Sequence, residues 1–266
     1  MFMDLKLSGK NILITGSTRG IGYATSKLLL KEGAHVYING RKKETVLEAV
    51  ENLKLAIPGA QVSPFVVDFN EPSEIENKLQ EIPSIDILIN NVGIYTSKSF
   101  YATTLADWNS QLQVNVIGGV ELAKRFLPSM LKKNWGRILF ISSECAYIVP
   151  TDMISYSATK AALHAISKGL SHLTRGTGVT VNIIVPGSTY TEGAKKFIEE
   201  KAVLEGKSPK ETERLFFLNE RPNSLLERFA SVDEVASTIT YFCSPLSGAT
   251  NGSVIKVDGG SSGGIL

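Results

Sequence analysis

The chain has 266 residues, of which 43% are hydrophobic and 20% charged, and this length is sufficient for one α/β domain with a large buried core. Its 28 basic and 26 acidic residues leave a net charge of +2, which argues against nucleic acid or an acidic membrane surface as a partner. Two cysteines, Cys145 and Cys243, do not make a disulfide framework, so we expect a reducing compartment.

The amino-terminal residues argue against export. Asp4 and Lys6 stand where a signal peptide needs an apolar centre. No apolar run approaches the ~20 residues that cross a bilayer. The sequence therefore predicts a cytoplasmic protein that does not enter a membrane.

Short apolar segments alternate with amphipathic segments along the chain. The predicted strands are 11–15, 34–39, 61–68, 85–90, 136–142, 179–187 and 253–260. The predicted helices are 21–31, 42–56, 72–80, 105–132, 155–173 and 232–243. This alternation is typical of parallel strands joined by right-handed crossovers. It predicts one doubly wound α/β domain of Rossmann type over residues 1–266, with about seven strands and helices on both faces of the sheet.

Residues 190–228 interrupt the alternation. The segment is rich in charge and follows the end of a predicted strand, where an insertion is well placed to cover a ligand as a helical lid. The alternative is a solvated helical excursion without contact to ligand. Phe216 and Phe217 either face an apolar substrate or form the core of the insertion itself.

A glycine-rich loop, TGSTRGIG, occupies residues 15–22 between the first predicted strand and the first helix. Gly16, Gly20 and Gly22 allow a tight turn and close backbone approach. The helix behind them presents free N–H groups to a pyrophosphate. In this position the pattern indicates a dinucleotide site rather than a simple packing turn.

The segment 138–160 contains groups suited to proton transfer at a carbonyl. Tyr156 and Lys160 are four residues apart, so a helix places both on one face, where the ammonium favours the phenolate. Ser143 lies at a strand end and is able to hydrogen-bond the reacting oxygen. Tyr23 and Lys27 have the same spacing, but they lack such a serine upstream.

The end of the second predicted strand indicates whether the bound dinucleotide carries a 2′-phosphate. A carboxylate there would bind the ribose hydroxyls of NAD and repel a 2′-phosphate. Instead the chain reads Asn39-Gly40-Arg41-Lys42, with Arg19 in the glycine loop. Because guanidinium groups suit a phosphate, we expect NADP(H) rather than NAD(H).

Six motifs occur in order on suitable elements: TGSTRGIG (15–22), NNVG (90–93), Asn115, Ser143, the Tyr156–Lys160 pair and PGSTYT (186–191). Together they resemble the short-chain dehydrogenase/reductase family in its compact single-domain form, over roughly residues 8–260. Val92 departs from the Ala that the family usually has in its Asn-Asn-Ala-Gly motif.

The resemblance implies roles for four catalytic residues. Tyr156 would be the general acid in reduction and the base in oxidation. Lys160 would lower the pKa of Tyr156 and hydrogen-bond the nicotinamide ribose. Ser143, preferred over Ser142 because the family places its serine thirteen residues before the tyrosine, would hold the substrate oxygen. Asn115 would bend its helix and hold a water in a proton relay to Lys160.

The resemblance also implies how the dinucleotide is held. Asp68 would accept from the adenine amino group, although a strand-end aspartate is equally able to cap the next turn. Asn91 and Gly93 would line the adenosine, and Thr189 and Thr191 would hold the carboxamide. The predicted cofactor-binding residues are Gly16, Thr18, Arg19, Gly20, Ile21, Gly22, Arg41, Asp68, Asn91, Gly93, Tyr156, Lys160, Pro186, Gly187, Thr189 and Thr191.

The predicted function is NADP(H)-dependent interconversion of a carbonyl and a secondary alcohol of a small molecule. A 3-oxoacyl-carrier-protein reductase is the alternative, and a non-catalytic cofactor sensor is a weaker one. A sugar-nucleotide epimerase would need a larger substrate domain.

His35, His164 and His172 lack ligand spacing, so no metal is expected. The resemblance implies a homotetramer formed through helices 105–132 and 155–173 and the last strand.

Overall fold

The computed structural model describes residues 4–82 and 84–264. The first three and the last two residues of the domain expected over 1–266 therefore lie outside the described residues. Within the described ranges, seven parallel strands form one sheet in the order β3-β2-β1-β4-β5-β6-β7. They are β1 (Asn11–Ile14), β2 (His35–Gly40), β3 (Gln61–Val66), β4 (Ile87–Asn90), β5 (Gly136–Ile141), β6 (Val179–Pro186) and β7 (Val254–Val257). The predicted fold class is confirmed.

Ten α-helices are found in the described part of the chain. They are α1 (Gly20–Lys31), α2 (Lys43–Ala56), α3 (Pro72–Leu79), α4 (Leu105–Leu112), α5 (Gly118–Lys133), α6 (Cys145–Ile148), α7 (Ile154–Leu173), α8 (Glu192–Glu205), α9 (Pro209–Glu220) and α10 (Val232–Cys243). The predicted elements agree with these bounds within one or two residues except at the last strand, which is shorter, and in the long helix.

The sheet separates two hydrophobic cores. In β1, Ile12 and Ile14 are buried in one core with residues of α1, α2 and α10, whereas Leu13 is buried in the other with residues of α3, α5 and α7. Successive side chains of a strand point to opposite faces, so every central strand supplies both cores. This arrangement explains why the central strands read as continuous apolar runs in the sequence.

The order of the strands reverses between β1 and β4. The chain moves outward from β1 to β3, returns to the other side of β1 as β4, and continues to β7. At such a reversal the crossover helices lie on opposite faces and leave a crevice at the carboxyl ends of the strands. The ends of β1 and β4 carry the glycine loop and the Asn-Asn-Val-Gly segment.

The helix predicted over 105–132 is not one continuous α-helix. α4 and α5 are joined by a π-helical turn, Gln113–Ile117, which contains Asn115. A π turn inserts one extra residue and is often found at functional sites. The hydrophobic period over 28 residues does not reveal this local change.

The insertion at 190–228 is mostly a pair of helices. Thr191 caps α8 and Ser208 caps α9, each accepting a hydrogen bond from a backbone N–H of the first turn. The two helices enclose a small apolar core of Ile198, Phe216, Phe217 and Phe229. The two phenylalanines of the insertion therefore belong to its own core.

Candidate active site

The glycine loop makes a tight turn between β1 and α1. Gly16 and Gly20 have positive φ angles of 61° and 58°, which favour glycine. A Cβ on Gly22 would lie 2.6 Å from Asn91 Nδ2, so a side chain there would collide with the Asn91 amide. The first turn of α1, with Gly20 and Ile21, has neither a side-chain cap nor an acidic residue. Its N–H groups therefore remain available to an anion.

Two asparagines hold this loop in place. Asn39 Oδ1 accepts from the N–H of Gly16 at 2.9 Å, and Asn91 Nδ2 donates to the Gly16 carbonyl at 2.9 Å. Asn39 is almost fully buried and was not among the predicted site residues. A polar residue in the otherwise apolar strand β2 was the signal in the sequence.

The end of β2 lies against the glycine loop. A Cβ on Gly40 would come within 2.8 Å of Thr18 Cγ2, so these two residues are in close proximity. Arg41 and Arg19, which follow them in the chain, are both exposed. Among the described residues, neither guanidinium forms an ion pair with a carboxylate.

Asp68 follows β3 in the chain, and its side chain stabilises the turn that begins at this residue. Asp68 Oδ1 accepts from the N–H of Asn70 at 2.9 Å. The capping alternative considered for this residue is therefore present in the structure. This bond occupies one carboxylate oxygen, and the adenine contact of Asp68 stays a prediction.

The segment after β6 approaches the glycine loop from the other side. A Cβ on Gly187 would lie 2.7 Å from the Cα of Asp258, so the backbone after Pro186 packs tightly. Thr189 Oγ1 donates to the Gly187 carbonyl at 2.9 Å. Thr191, the cap of α8, lies 3.4 Å from the Cβ position of Gly20. The insertion thus begins directly beside the glycine loop.

Tyr156 and Lys160 lie one turn apart on α7. Lys160 Nζ is 5.6 Å from the centre of the Tyr156 ring and donates to the Ile141 carbonyl at 2.9 Å. The ammonium also lies 3.1 Å from the Cβ position of Gly93. Lys160 is therefore enclosed between the ends of β4 and β5, and Tyr156 faces the end of β5.

Burial controls the protonation of both side chains. Burial raises the pKa of Tyr156 well above its ordinary range, Cys145 raises it further, and a hydrogen bond to Ser143 lowers it. Burial lowers the pKa of Lys160 to about 8. The expected lowering of the Tyr156 pKa by Lys160 stays a prediction. Near neutral pH the phenol keeps its proton.

The two serines at the end of β5 point in different directions. Ser142 Oγ donates to the Lys160 carbonyl at 3.0 Å and lies 3.1 Å from His164 Nε2, so it is engaged with α7. Ser143 Oγ accepts from the N–H of Cys145 at 3.2 Å and interacts with Tyr156. Of the two serines, Ser143 is the one beside the phenol.

Asn115 joins the π turn to the end of β4. Its side-chain oxygen accepts from the N–H of Ile94, and its nitrogen donates to the Ile94 carbonyl, each at 2.8 Å. The nitrogen also donates to Thr159 Oγ1 on α7 at 3.0 Å. Asn115 lies in the π turn, and its predicted bend and water-relay role both stay predictions.

Three neighbouring residues were missed in the sequence. The ring of Tyr95 lies edge-on to that of Tyr156 at 5.8 Å and is mostly exposed. Glu144, directly after Ser143, is buried and pairs with Arg221 at the end of the insertion at 2.7 Å. An acidic residue at an apolar strand end was the signal for Glu144, but nothing in the sequence indicated its partner.

A family profile described as short chain dehydrogenase matches residues 10–202. The chain belongs to the short-chain dehydrogenase family. It is therefore an oxidoreductase that acts on CH–OH or carbonyl groups with a nicotinamide cofactor. The predicted family and enzyme class are confirmed.

Three similar proteins show how far this likeness extends. The uncharacterized oxidoreductase YvrD of Bacillus subtilis is 43% identical, and the alignment covers 97% of this chain and 98% of YvrD. The 3-oxoacyl-[acyl-carrier-protein] reductase FabG of Aquifex aeolicus is 33% identical, with 97% and 99% covered. The structure of L-sorbose reductase from Gluconobacter frateurii with NADPH and L-sorbose has a TM-score of 0.92 at 30% identity, with 99% and 100% covered.

Within residues 4–82 and 84–264, no three His, Cys, Asp or Glu side chains come together as a metal-binding group. No helix in the same ranges combines the length and the apolar character of a membrane span.

Proposed function

We propose that this enzyme uses NADPH to reduce a carbonyl of a small molecule to a secondary alcohol, with Tyr156 as the proton donor. The observation that carries the proposal is geometric: Ser143 lies beside the Tyr156 hydroxyl at the end of β5, and Lys160 lies one turn away from Tyr156 on α7. A protonated phenol suits reduction, because the developing alkoxide takes up a proton. In the reverse oxidation the same residue, as the phenolate, would take up the proton of the alcohol.

Ser143 and Lys160 complete the proposed chemistry. The hydroxyl of Ser143 donates to the carbonyl oxygen as negative charge develops on it, and Tyr156 delivers its proton to the same oxygen. The reduced nicotinamide supplies the hydride when bound. The ammonium of Lys160 stabilises the resulting phenolate from the side of β5. Asn115 fixes the backbone after β4 through its two hydrogen bonds to Ile94.

A nicotinamide dinucleotide fits the residues around the crevice. The uncapped first turn of α1 and the glycine turn suit a pyrophosphate. We assign the adenosine side to Asp68 and Asn91, whereas Gly93, whose Cβ position lies 3.1 Å from Lys160 Nζ, adjoins the nicotinamide side. We assign the nicotinamide side to Lys160 and the segment after β6. The residues of that segment are Pro186, Gly187, Thr189 and Thr191.

The preference for NADPH rests on charge at the end of β2. Arg41 and Arg19 are exposed on adjoining segments, and no acidic residue occupies residues 39–42. Two guanidinium groups suit a 2′-phosphate, and a carboxylate that would select NADH is missing from this stretch. The similar L-sorbose reductase was solved with NADPH, which agrees with this proposal.

Fluorescence titration with NADPH and NADH tests the cofactor half. We expect the wild type to bind NADPH at least tenfold more tightly than NADH, and Arg41→Ala to lose most of that preference. Lys54→Ala, which removes a positive charge at the far end of α2, is the matched control and is expected to keep it. Equal affinity for the two nucleotides in the wild type would contradict the proposal.

A carrier-protein substrate is the second candidate, favoured by the 33% identity to a FabG protein. Docking an acidic carrier protein needs unpaired basic residues near the site. On α8 the lysines instead approach glutamates one turn away: Lys195 and Glu199 at 3.8 Å, and Lys196 and Glu200 at 3.7 Å. We therefore rank a small molecule first. The ratio of kcat/KM for a free ketone and for acetoacetyl-carrier protein separates the two.

Assembly and location complete the proposal. We propose a cytoplasmic homotetramer, in which α4 and α5 form one interface. The side chains of Leu105 and Leu112 on α4, and of Ile117 in the π turn before α5, are exposed, Leu105 by 80%. Association would bury this apolar surface. Size-exclusion chromatography with light scattering is expected to give four times the chain mass, and a monomer would contradict the assembly.

A further inference from the structure

Glu144 is the centre of a buried polar network beside the catalytic serine. Its carboxylate accepts from Arg221 Nε at 2.7 Å, from Ser188 Oγ at 2.8 Å and from Ser261 Oγ. Its backbone N–H donates to the Pro186 carbonyl at 2.9 Å. One side chain thus connects the end of β5, the segment after β6, the end of the insertion and the carboxyl-terminal segment.

The partner of Glu144, Arg221, lines a cavity of about 350 Å³. One wall of the cavity is formed by residues 148–152, in the loop that begins at Ser143, and the other by residues 219–223 at the end of the insertion. This volume is within the range of small-molecule sites. The cavity therefore adjoins the loop that follows Ser143 and the end of the insertion.

The cavity wall is polar, yet it offers an anion little attraction. Its polar lining includes Asp152, Asn219, Glu220, Arg221, Asn223 and Ser261. Among the described lining residues, Arg221 carries the positive charge, and the buried carboxylate of Glu144 neutralises it. Asp152 and Glu220 add negative charge. Hydroxyl groups of a substrate find donors and acceptors here, whereas a carboxylate meets net repulsion.

We propose that Glu144 is a specificity-determining residue, which by neutralising Arg221 restricts the enzyme to uncharged, hydroxylated carbonyl compounds. The inference rests on the proposed reductase function and adds the substrate class. A ketose-like compound places its hydroxyl groups in the cavity while its carbonyl is held at Ser143 and Tyr156. The corresponding acid is excluded because Arg221 has no uncompensated charge to offer it.

The test compares two substrates of one carbon skeleton with NADPH: a 2-ketohexose and a 5-ketohexonate. We expect the wild type to have a kcat/KM at least tenfold higher for the ketohexose. In Glu144→Gln the charge of Arg221 is uncompensated, so this ratio falls at least tenfold. NADPH affinity, measured by fluorescence, stays within twofold of the wild-type value.

Two further variants serve as controls for the effect of Glu144→Gln. Glu234→Gln changes the net charge equally and breaks an exposed Glu–Arg pair with Arg228, so it is expected to keep the wild-type ratio. Arg221→Gln removes the cation and is expected to keep or raise the preference for the ketohexose. If Glu144→Gln does not fold, as judged by thermal unfolding, the wild type and Arg221→Gln decide the question.

Each outcome separates this inference from the proposed function. A wild type that reduces the ketohexonate as well as the ketohexose overturns the inference, as does an unchanged ratio in folded Glu144→Gln. Reduction of simple ketones but of neither sugar derivative also overturns it, while leaving the reductase proposal intact. Failure to reduce any carbonyl would instead remove the proposed function itself.

Discussion

Lys160 donates a hydrogen bond of 2.9 Å to the backbone carbonyl of Ile141, the last residue of β5. This bond fixes the ammonium between Gly93 and the ring of Tyr156, which lies one turn earlier on α7. The lysine is nearly fully buried, with an exposed fraction of 3%. A buried ammonium is costly, so its protonation, its activity and the stability of the fold are linked.

The pH dependence of stability is the first prediction. Because the folded-state pKa of Lys160 is about 8 against an ordinary value of 10.5, the unfolded chain binds this proton more tightly. The contribution of Lys160 to stability therefore rises as pH increases from about 8 to 10.5, by on the order of 3 kcal/mol. Lys160→Met lacks this titration.

Chemical denaturation at pH 7 and pH 10 measures the effect. Relative to the wild type, the free energy of unfolding of Lys160→Met is expected to be higher at pH 7 than at pH 10. If the difference in unfolding free energy between the two proteins were the same at pH 7 and pH 10, burial would not lower the pKa of Lys160.

The same titration predicts a pH profile for activity. If the ammonium stabilises the phenolate, kcat/KM for the nucleotide falls as Lys160 loses its proton above about pH 8, since this parameter reports the free enzyme. Lys160→Met is expected to lower kcat/KM by ~100-fold or more and to flatten the profile. Steady-state kinetics from pH 6 to 10 test both points. A wild-type profile that stays flat to pH 10 would contradict the role of the ammonium.

Asn115 is expected to contribute to both stability and activity. Asn115→Ala leaves the N–H and carbonyl of Ile94 without their side-chain partner, which costs about 1–3 kcal/mol of unfolding free energy. The π turn then loses its link to β4, and kcat falls. Urea unfolding and turnover are the measurements. Asn109→Ala, at an exposed position on α4, is the control and should change neither.

The glycine loop gives a prediction about binding alone. In Gly22→Ala the new methyl group meets Asn91 Nδ2 at 2.6 Å and the Gly16 carbonyl at 2.7 Å, so the turn must shift. We expect NADPH binding to weaken at least tenfold. Gly169→Ala, in α7 with open space at the Cβ position, should bind normally and gain about 0.5–1 kcal/mol in stability. Normal NADPH binding by Gly22→Ala would contradict the placement of the pyrophosphate.

The strands and most helices were predictable because local pattern determines them. Runs such as NILI in β1 are apolar at every position since the sheet is covered on both faces. The π turn at Asn115 was not predictable, because one extra residue barely changes the hydrophobic period of a long helix.

Site residues that come together only through contacts between distant parts of the chain could not be predicted from the sequence. Ser143, Tyr156 and Lys160 were identified because they are close in sequence and match a family pattern. Glu144 and Arg221 are 77 residues apart, and only the fold brings them together. Burial is equally invisible in the sequence, and it is the main cause of the raised pKa of Tyr156.

The most direct test of the account uses the two Tyr-x-x-x-Lys pairs in the chain. NADPH oxidation with a panel of ketones is measured for the wild type, Tyr156→Phe and Tyr23→Phe. We expect Tyr156→Phe to bind NADPH normally and to lose ~10²–10⁴ in kcat/KM, the range of general acid catalysis. Tyr23→Phe, in α1, should retain wild-type turnover. Equal activity of Tyr156→Phe and the wild type would contradict the assignment of Tyr156 as the proton donor.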